Sequence, residues 1–487
     1  MSRSVSVAII GGGFGGVGLA AKLIEAGFAD VTVFEKRDDL GGVWHANTYP
    51  GARCDIPSHL YCFSFAPNVE WSSRFAPQPE ILAYLHDVAE RFHVRPRVRC
   101  GTEVVSAAFD DERGRWCLRL ADGTEHRADV VVTATGQLSR PAVPAIPGRE
   151  AFTGPVFHSA NWDHTVDLTG RRVGVVGTGA SAIQFVPPVA ELAERVTVFQ
   201  RHAPYVLPKV DRPYSERTRA LFRRLPSLVK LSRWLTYWQY EPRALGFTRF
   251  TKLTKPYASR SGRHLSRQVE DPALRAALTP TEPFGCKRVL LSNDYYPALA
   301  APNVRVVGSP IANADPEGLV TADGETHRLD AIVLGTGFAA TEYLAPMRVT
   351  GRAGVDLADE WRDGAQAYLG TVVPGFPNLF MLYGPNTNLG HNSIIFMLES
   401  QFRYVLQAVR HLAATGPGRL DVRRERYTDY NAEVQRRLGR TVWSLGCDSW
   451  YLTDAGRNTV QWPGSTVEFR RRLRRFDPAD YEFTPAS

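Results

Sequence analysis

The sequence predicts an α/β protein built on two parallel-sheet units with a helical insert. Three observations carry that expectation. Two apolar strand patterns run straight into glycine turns: Gly11-x-Gly13-x-x-Gly16 follows residues 5–10, and Gly177-x-Gly179-x-x-Ala182 follows 173–176. Each turn opens a helical stretch, and the strands after them are near copies, Val31-Thr-Val-Phe-Glu35 and Val196-Thr-Val-Phe-Gln200. From about 208 to 283 the chain is instead helical, basic and aromatic.

Length and composition set the frame. At 487 residues two to three domains are expected. A hydrophobic share of 44% with 22% charged residues suits a globular protein with a large core. No apolar run reaches the length of a membrane span. The first strand begins near Val5, so no leader peptide is expected and a cytoplasmic location follows. The six cysteines (54, 62, 100, 117, 286 and 447) are scattered without paired metal spacing, which predicts free thiols and no metal centre.

In chain order, the first unit runs strand 5–10, helix 16–26, strand 31–35, with an all-β excursion over 104–120 and a strand at 130–136. Pro141, Pro144 and Pro147 stiffen a linker. The second unit covers 172–201, the helical insert follows, and strands resume at 304–307 and 331–334. A glycine-rich turn at 383–392 precedes a long helix, 393–412. The predicted division is 1–147, then 148–337 carrying the insert, then 338–487 completing the first unit.

A strand, a glycine turn and a helix N-terminus together form a Rossmann-like cradle for a pyrophosphate. In the first unit Gly11, Gly13 and Gly16 supply the turn, and Glu35 supplies the carboxylate that accepts ribose hydroxyls, which suits FAD. In the second unit that carboxylate has become Gln200, followed by Arg201 and His202. Loss of the acid and gain of a guanidinium suit a 2′-phosphate, so NADPH is expected there. Two such units in one chain imply electron transfer from one bound dinucleotide to the other.

The net charge of +8 is concentrated in residues 211–270, where 14 Lys/Arg face 4 Asp/Glu. Such a basic, aromatic segment suits a membrane surface or a nucleic acid. An amphipathic insert with a solvated basic face is the simpler account and is taken here. No nucleic-acid partner is expected, and peripheral membrane contact is the lesser alternative.

Three motifs then point to a family. They are Phe152-x-Gly154-x-x-x-His158-x-x-x-Trp162-Asp163; Gly41-Gly-Val-Trp44 with Tyr49-Pro-Gly51 and Asp55; and Lys287-Arg288 with Asp294-Tyr-Tyr296. In order and spacing the chain resembles the class B flavoprotein monooxygenases, and among them the type I Baeyer–Villiger monooxygenases, over nearly its whole length. The resemblance implies insertion of one oxygen atom of O2 beside a ketone carbonyl, through a C4a-peroxyflavin, giving an ester or lactone. It implies that Val43, Trp44, Arg53, Asp55, Tyr61 and the backbone of Val104 lie along FAD, with the helix from Ile394 pointing at the flavin. Thr178, Gly179, Ala180, Ser181 and Gln184 would cradle the NADP pyrophosphate; Arg201, His202 and Lys287 would meet its 2′-phosphate. Arg288 would be the active-site arginine, oriented by Asp55. His158 is expected to act in linker coupling, and Trp450 and Trp462 to be packing residues. The insert, which walls the substrate pocket in relatives, looks short. The alternative activity is oxidation of sulfur or nitrogen in small substrates. A disulfide reductase is disfavoured because no Cys-x-x-Cys or Cys-x4-Cys occurs. A flavin-bearing module without oxygenase activity is the reading from another class, and a monomer or weak homo-oligomer is expected.

Overall fold

The computed structural model describes residues 5–416, 418–446 and 449–485. The four-residue strands Val7–Ile10 and Val130–Thr133, apolar but for Thr133, are buried on both faces, as central parallel strands must be. They lie in an all-parallel sheet of order Leu379–Met381, Val130–Thr133, Val7–Ile10, Val31–Phe34, Val98–Arg99. Its outer strand therefore comes from the C-terminal part of the chain. The second sheet, also all parallel, has the order Val304–Val307, Arg195–Phe199, Arg172–Val176, Ala331–Leu334, Val156–His158. The β excursion is a four-stranded sheet in which Arg348–Thr350 pairs with Val104–Asp110.

The first helix is Phe14–Glu25, starting two residues before the expected Gly16 because Gly13 already holds the extended N-cap conformation. The long C-terminal helix, Ile394–Thr415, packs across it. Gly18 permits that crossing: a Cβ there would lie 2.5 Å from the Phe402 ring. Burial of both helices in one apolar core explains how residues far apart in sequence share a layer.

The two sheets are joined by a pair of crossing connections. Ala142 donates its N–H to the Gly337 carbonyl at 2.9 Å, and Ala339 donates to Arg140 at 3.0 Å. His158 ends its strand edge-on to Phe338, with ring centroids 5.8 Å apart, and its Nδ1 accepts the Ala160 N–H at 3.1 Å. The insert is helical as expected, in five helices: Glu216–Arg224, Ser227–Tyr240, Ala244–Thr248, Lys255–Gln268 and Pro272–Ala277. Among the described residues no helix is long and apolar enough to cross a membrane.

Candidate functional site

Both glycine turns are built by close backbone approach. Gly11 sits at φ +114°, and a Cβ on it would lie 2.5 Å from the Ala134 carbonyl oxygen. Gly177 repeats this at φ +108°, 2.5 Å from the Gly335 oxygen. A Cβ on Gly16 would meet the Gly11 oxygen at 1.9 Å, so only glycine lets the helix cross the strand there. Ala182, in the matching place of the second unit, is tolerated. Gly16→Ala is therefore expected to distort the first turn alone. Protein purified from that variant should carry much less flavin than wild type, read from visible absorbance, and full flavin occupancy would refute the assignment.

The two turns open into one continuous cavity of about 1340 Å³. Every residue predicted to bind cofactor lines it except Gly16, which acts by packing behind the turn. Glu35 is buried; its Oε2 accepts the Gly12 N–H at 2.7 Å and Oε1 accepts the Arg37 N–H at 2.9 Å. A carboxylate has lone pairs left over for a ribose. Trp44 donates to the Tyr61 hydroxyl at 3.1 Å, and burial holds that phenol well above its ordinary pKa, so it stays neutral. Val43 starts the short helix Val43–Ala46, and Val104 starts its strand, both at the cavity wall.

Gln184 does something the sequence did not suggest. Its Oε1 accepts from Tyr49 Oη and Arg53 N, each at 3.1 Å, and its Nε2 donates to the Arg53 carbonyl at 3.0 Å. It thus staples the first unit to the second. The Arg53 guanidinium faces away from these bonds and pairs with Asp211 at 2.8 Å.

Arg288 stands in the same cavity with its guanidinium bound to one oxygen of Asp55, Nε at 3.0 Å and Nη2 at 2.5 Å. The negative charge of Asp55 raises its pKa further against desolvation, so it is a permanent cation. Tyr383 and Tyr451 lie close enough to feel that charge; burial nevertheless pushes Tyr451 up to about 12.

On the second turn, Thr178 donates its hydroxyl to the His202 carbonyl at 3.0 Å. Gln200 is turned inward, donating to the Ala277 carbonyl at 2.8 Å. Arg201 is exposed on the cavity rim. Lys287 pairs with Glu282 at 2.9 Å, and His202 Nδ1 is 3.8 Å from the same carboxylate. Glu282, an acid beside the cations expected to meet a phosphate, was not anticipated and has no local signature.

Three corrections arise. Cys286 is disulfide-bonded, whereas Cys54, Cys62, Cys100 and Cys117 are free; Cys447 lies outside the described residues. The scattered spacing of the cysteines gave no sign of this bridge, and the thiols no longer argue for a compartment. Trp450 lines the cavity at 38% exposure instead of packing inside, while Trp462 is fully buried as expected. From the region between Arg201 and Lys287, only its two ends reach the cavity, at 202–205 and at Pro280, Glu282 and Pro283.

Sequence reading also missed Glu241. It reaches from the insert into the buried junction between the 383–392 turn and the helix Thr466–Arg472. Its carboxylate accepts Asn392 Nδ2, Thr466 N and Thr466 Oγ1, each at 2.7 Å, and His391 Nε2 lies 3.5 Å away. Burial pushes this carboxyl up, but His391 and the donors from Thr466 and Asn392 outweigh it and hold the pKa at about 2. Asn392 lines the cavity, so Glu241 anchors part of its wall. Because the folded pKa lies below the ordinary 4.5, this stabilisation is present above about pH 4.5 and lost as pH falls towards 2; it amounts to about 3 kcal/mol. Glu241→Gln should lower thermal stability at neutral pH, with the gap from wild type closing in acid. A constant gap across that range would contradict the assignment.

The comparisons with known proteins agree with this geometry. Residues 4–244 match the model of the flavin-binding monooxygenase-like family. A Baeyer–Villiger monooxygenase of Streptomyces coelicolor is 48% identical over 481 residues, covering 98% of this chain and 92% of the relative. Oxidised steroid monooxygenase bound to NADP superposes with a TM-score of 0.87 at 33% identity, covering 99% of both chains. OTEMO in complex with FAD and NADP gives 0.89 at 28% identity, covering 99% of this chain and 100% of that one. A chain with two glycine turns on one cavity, an arginine–aspartate pair between them and end-to-end likeness to these proteins belongs to the Baeyer–Villiger monooxygenase family of flavin-binding monooxygenases.

Proposed function

We propose that this protein is an FAD- and NADPH-dependent Baeyer–Villiger monooxygenase that converts a small ketone and O2 to an ester or lactone. The observation that carries the reading is the placement of a permanent cation, Arg288, in the cavity that both nucleotide turns share. The residues fit the two cofactors: each turn has a glycine whose Cβ would strike the neighbouring backbone, leaving an open cradle of N–H groups. Residues 1–147 with 338–487 would hold FAD, and 148–337 would hold NADPH, with 208–283 as the insert.

Bound FAD, reduced by NADPH, supplies the oxygen-activating chemistry. The chain supplies binding and electrostatics. Gly11, Gly13, Gly16 and Glu35 hold the ADP part of FAD, with Val43, Trp44, Asp55, Tyr61, Val104 and Ile394 along the flavin. The N-terminus of the helix Ile394–Thr415 offers a partial positive charge to an electron-rich ring. Thr178, Gly179, Ala180 and Ser181 receive the NADP pyrophosphate, and Arg53 and Gln184 fix the seam beside it. Arg201, His202 and Lys287 meet the 2′-phosphate. Arg288 would hold a fixed guanidinium, charged and rich in N–H donors, where negative charge develops on oxygen in the cavity. Asp55 holds the guanidinium in place through two donors without removing its charge.

The test is product analysis of purified, FAD-loaded protein with NADPH against a panel of ketones and sulfides. Esters or lactones are expected. Sulfoxides or N-oxides alone would establish the alternative chemistry, and cofactor oxidation without any oxygenated product would leave a redox module.

A further inference from the structure

The helix Ser227–Tyr240 in the insert faces outward with the wrong side for a soluble protein. Leu231, Trp234, Leu235 and Trp238 fall at i, i+3, i+4 and i+7, on one helical face. They are 50, 56, 55 and 46% exposed. The opposite face is the packed one, with Val229, Tyr237 and Tyr240 buried and Arg233 tied to the Cys62 carbonyl at 2.6 Å. Apolar exposure continues beyond the helix: the chain folds back where Phe250 N–H donates to the Leu245 carbonyl at 2.7 Å, and Leu245, Phe250 and Leu253 are each about half exposed. Single exposed leucines are ordinary, but a stripe of two tryptophans and two leucines on one turnless helix face marks a contact surface.

Exposed cations in the same stretch of chain select what covers this stripe. Lys230, Arg224, Arg249 and Lys252 are exposed, and none of them pairs with a carboxylate among the described residues. Three of the four acids of the segment are spent elsewhere: Glu241 is buried, Asp211 holds Arg53, and Glu216 holds Arg219 and Arg223; the fourth, Glu270, is exposed but lies beyond the helix Lys255–Gln268. A second copy docked by twofold symmetry would set these cations against themselves. A nucleic acid would pair with the cations but leave the leucines wet. A bilayer with anionic headgroups satisfies both features, taking the indoles and leucines at the acyl boundary and the lysine and arginines at the phosphates.

We propose that the insert is a peripheral docking surface for anionic membranes, with the helix Ser227–Tyr240 lying in the interface plane. It takes up the membrane alternative that the composition of this segment left open beside a solvated basic face. The proposal is independent of the oxygenation reaction.

The experiment is co-sedimentation of the full FAD-loaded protein with phosphatidylglycerol/phosphatidylcholine vesicles and with phosphatidylcholine vesicles alone. Binding is expected to the anionic vesicles, falling as salt rises, with a blue shift of tryptophan fluorescence. Trp234→Ser/Trp238→Ser should weaken it by roughly tenfold or more while flavin content stays unchanged. Lys230→Glu/Arg224→Glu should weaken it in the same direction. No sedimentation with anionic vesicles overturns the proposal, as does unaltered binding by the tryptophan variant. A dimer in light scattering, or an oligonucleotide complex, that the tryptophan variant abolishes would assign the surface to that partner instead.

Discussion

Arg288→Ala is expected to cut ester formation by roughly a hundredfold to a thousandfold, the usual cost of removing one electrostatic group aimed at developing charge. Hydride transfer needs the nicotinamide aligned with the flavin more than it needs a cation. Oxygen transfer places negative charge in a partly dry cavity, where an unpaired charge is costly. Arg288 is a permanent cation there, held by Asp55 at 3.0 Å through Nε. NADPH consumption should therefore continue in the variant, with its electrons leaving as hydrogen peroxide. Asp55→Ala should show a milder form of the same uncoupling, because the arginine remains but loses its orientation. Product yield per NADPH, measured together with peroxide release, checks both. Normal ester yield from Arg288→Ala would place the chemistry on other residues.

NADPH should reduce the flavin with a kcat/KM on the order of a hundredfold or more above NADH. Each charge-assisted contact to a phosphate is worth roughly 1.5–3 kcal/mol, and a tenfold preference needs about 1.4, so two contacts suffice. The turned-in Gln200 removes the acid that would prefer a free ribose, and Arg201 and Lys287 are at the cavity. Arg201→Ala should erode most of the preference. Glu282 lies 2.9 Å from Lys287 Nζ, so it would compete with a 2′-phosphate for that cation. Removing that competition in Glu282→Gln should raise kcat/KM for NADPH and leave NADH nearly unchanged. Steady-state kinetics with both cofactors decides this, and equal use of NADH and NADPH by wild type would refute the assignment.

The sequence by itself determined what is local. A glycine turn after a buried strand must be followed by a helix whose N-terminus is open, and this was readable twice because strand period, turn residues and helix start all lie within about thirty residues. The change from Glu35 to Gln200 was equally legible, since the two units could be aligned on themselves. Tertiary structure decided what depends on distant segments meeting. Asp55 and Arg288 are 233 residues apart and form an ion pair only because both sheets close on one cavity. Glu241 could be recognised as an anchor only when the insert was seen to bury it against Asn392 and Thr466. Gln184 as a staple and the outward stripe of Trp234 and Trp238 belong to the same class. The reason is physical: hydrophobic periodicity states that a helix has an apolar face, but whether that face meets the core or the solvent is set by which partner surfaces the rest of the chain has left to cover it.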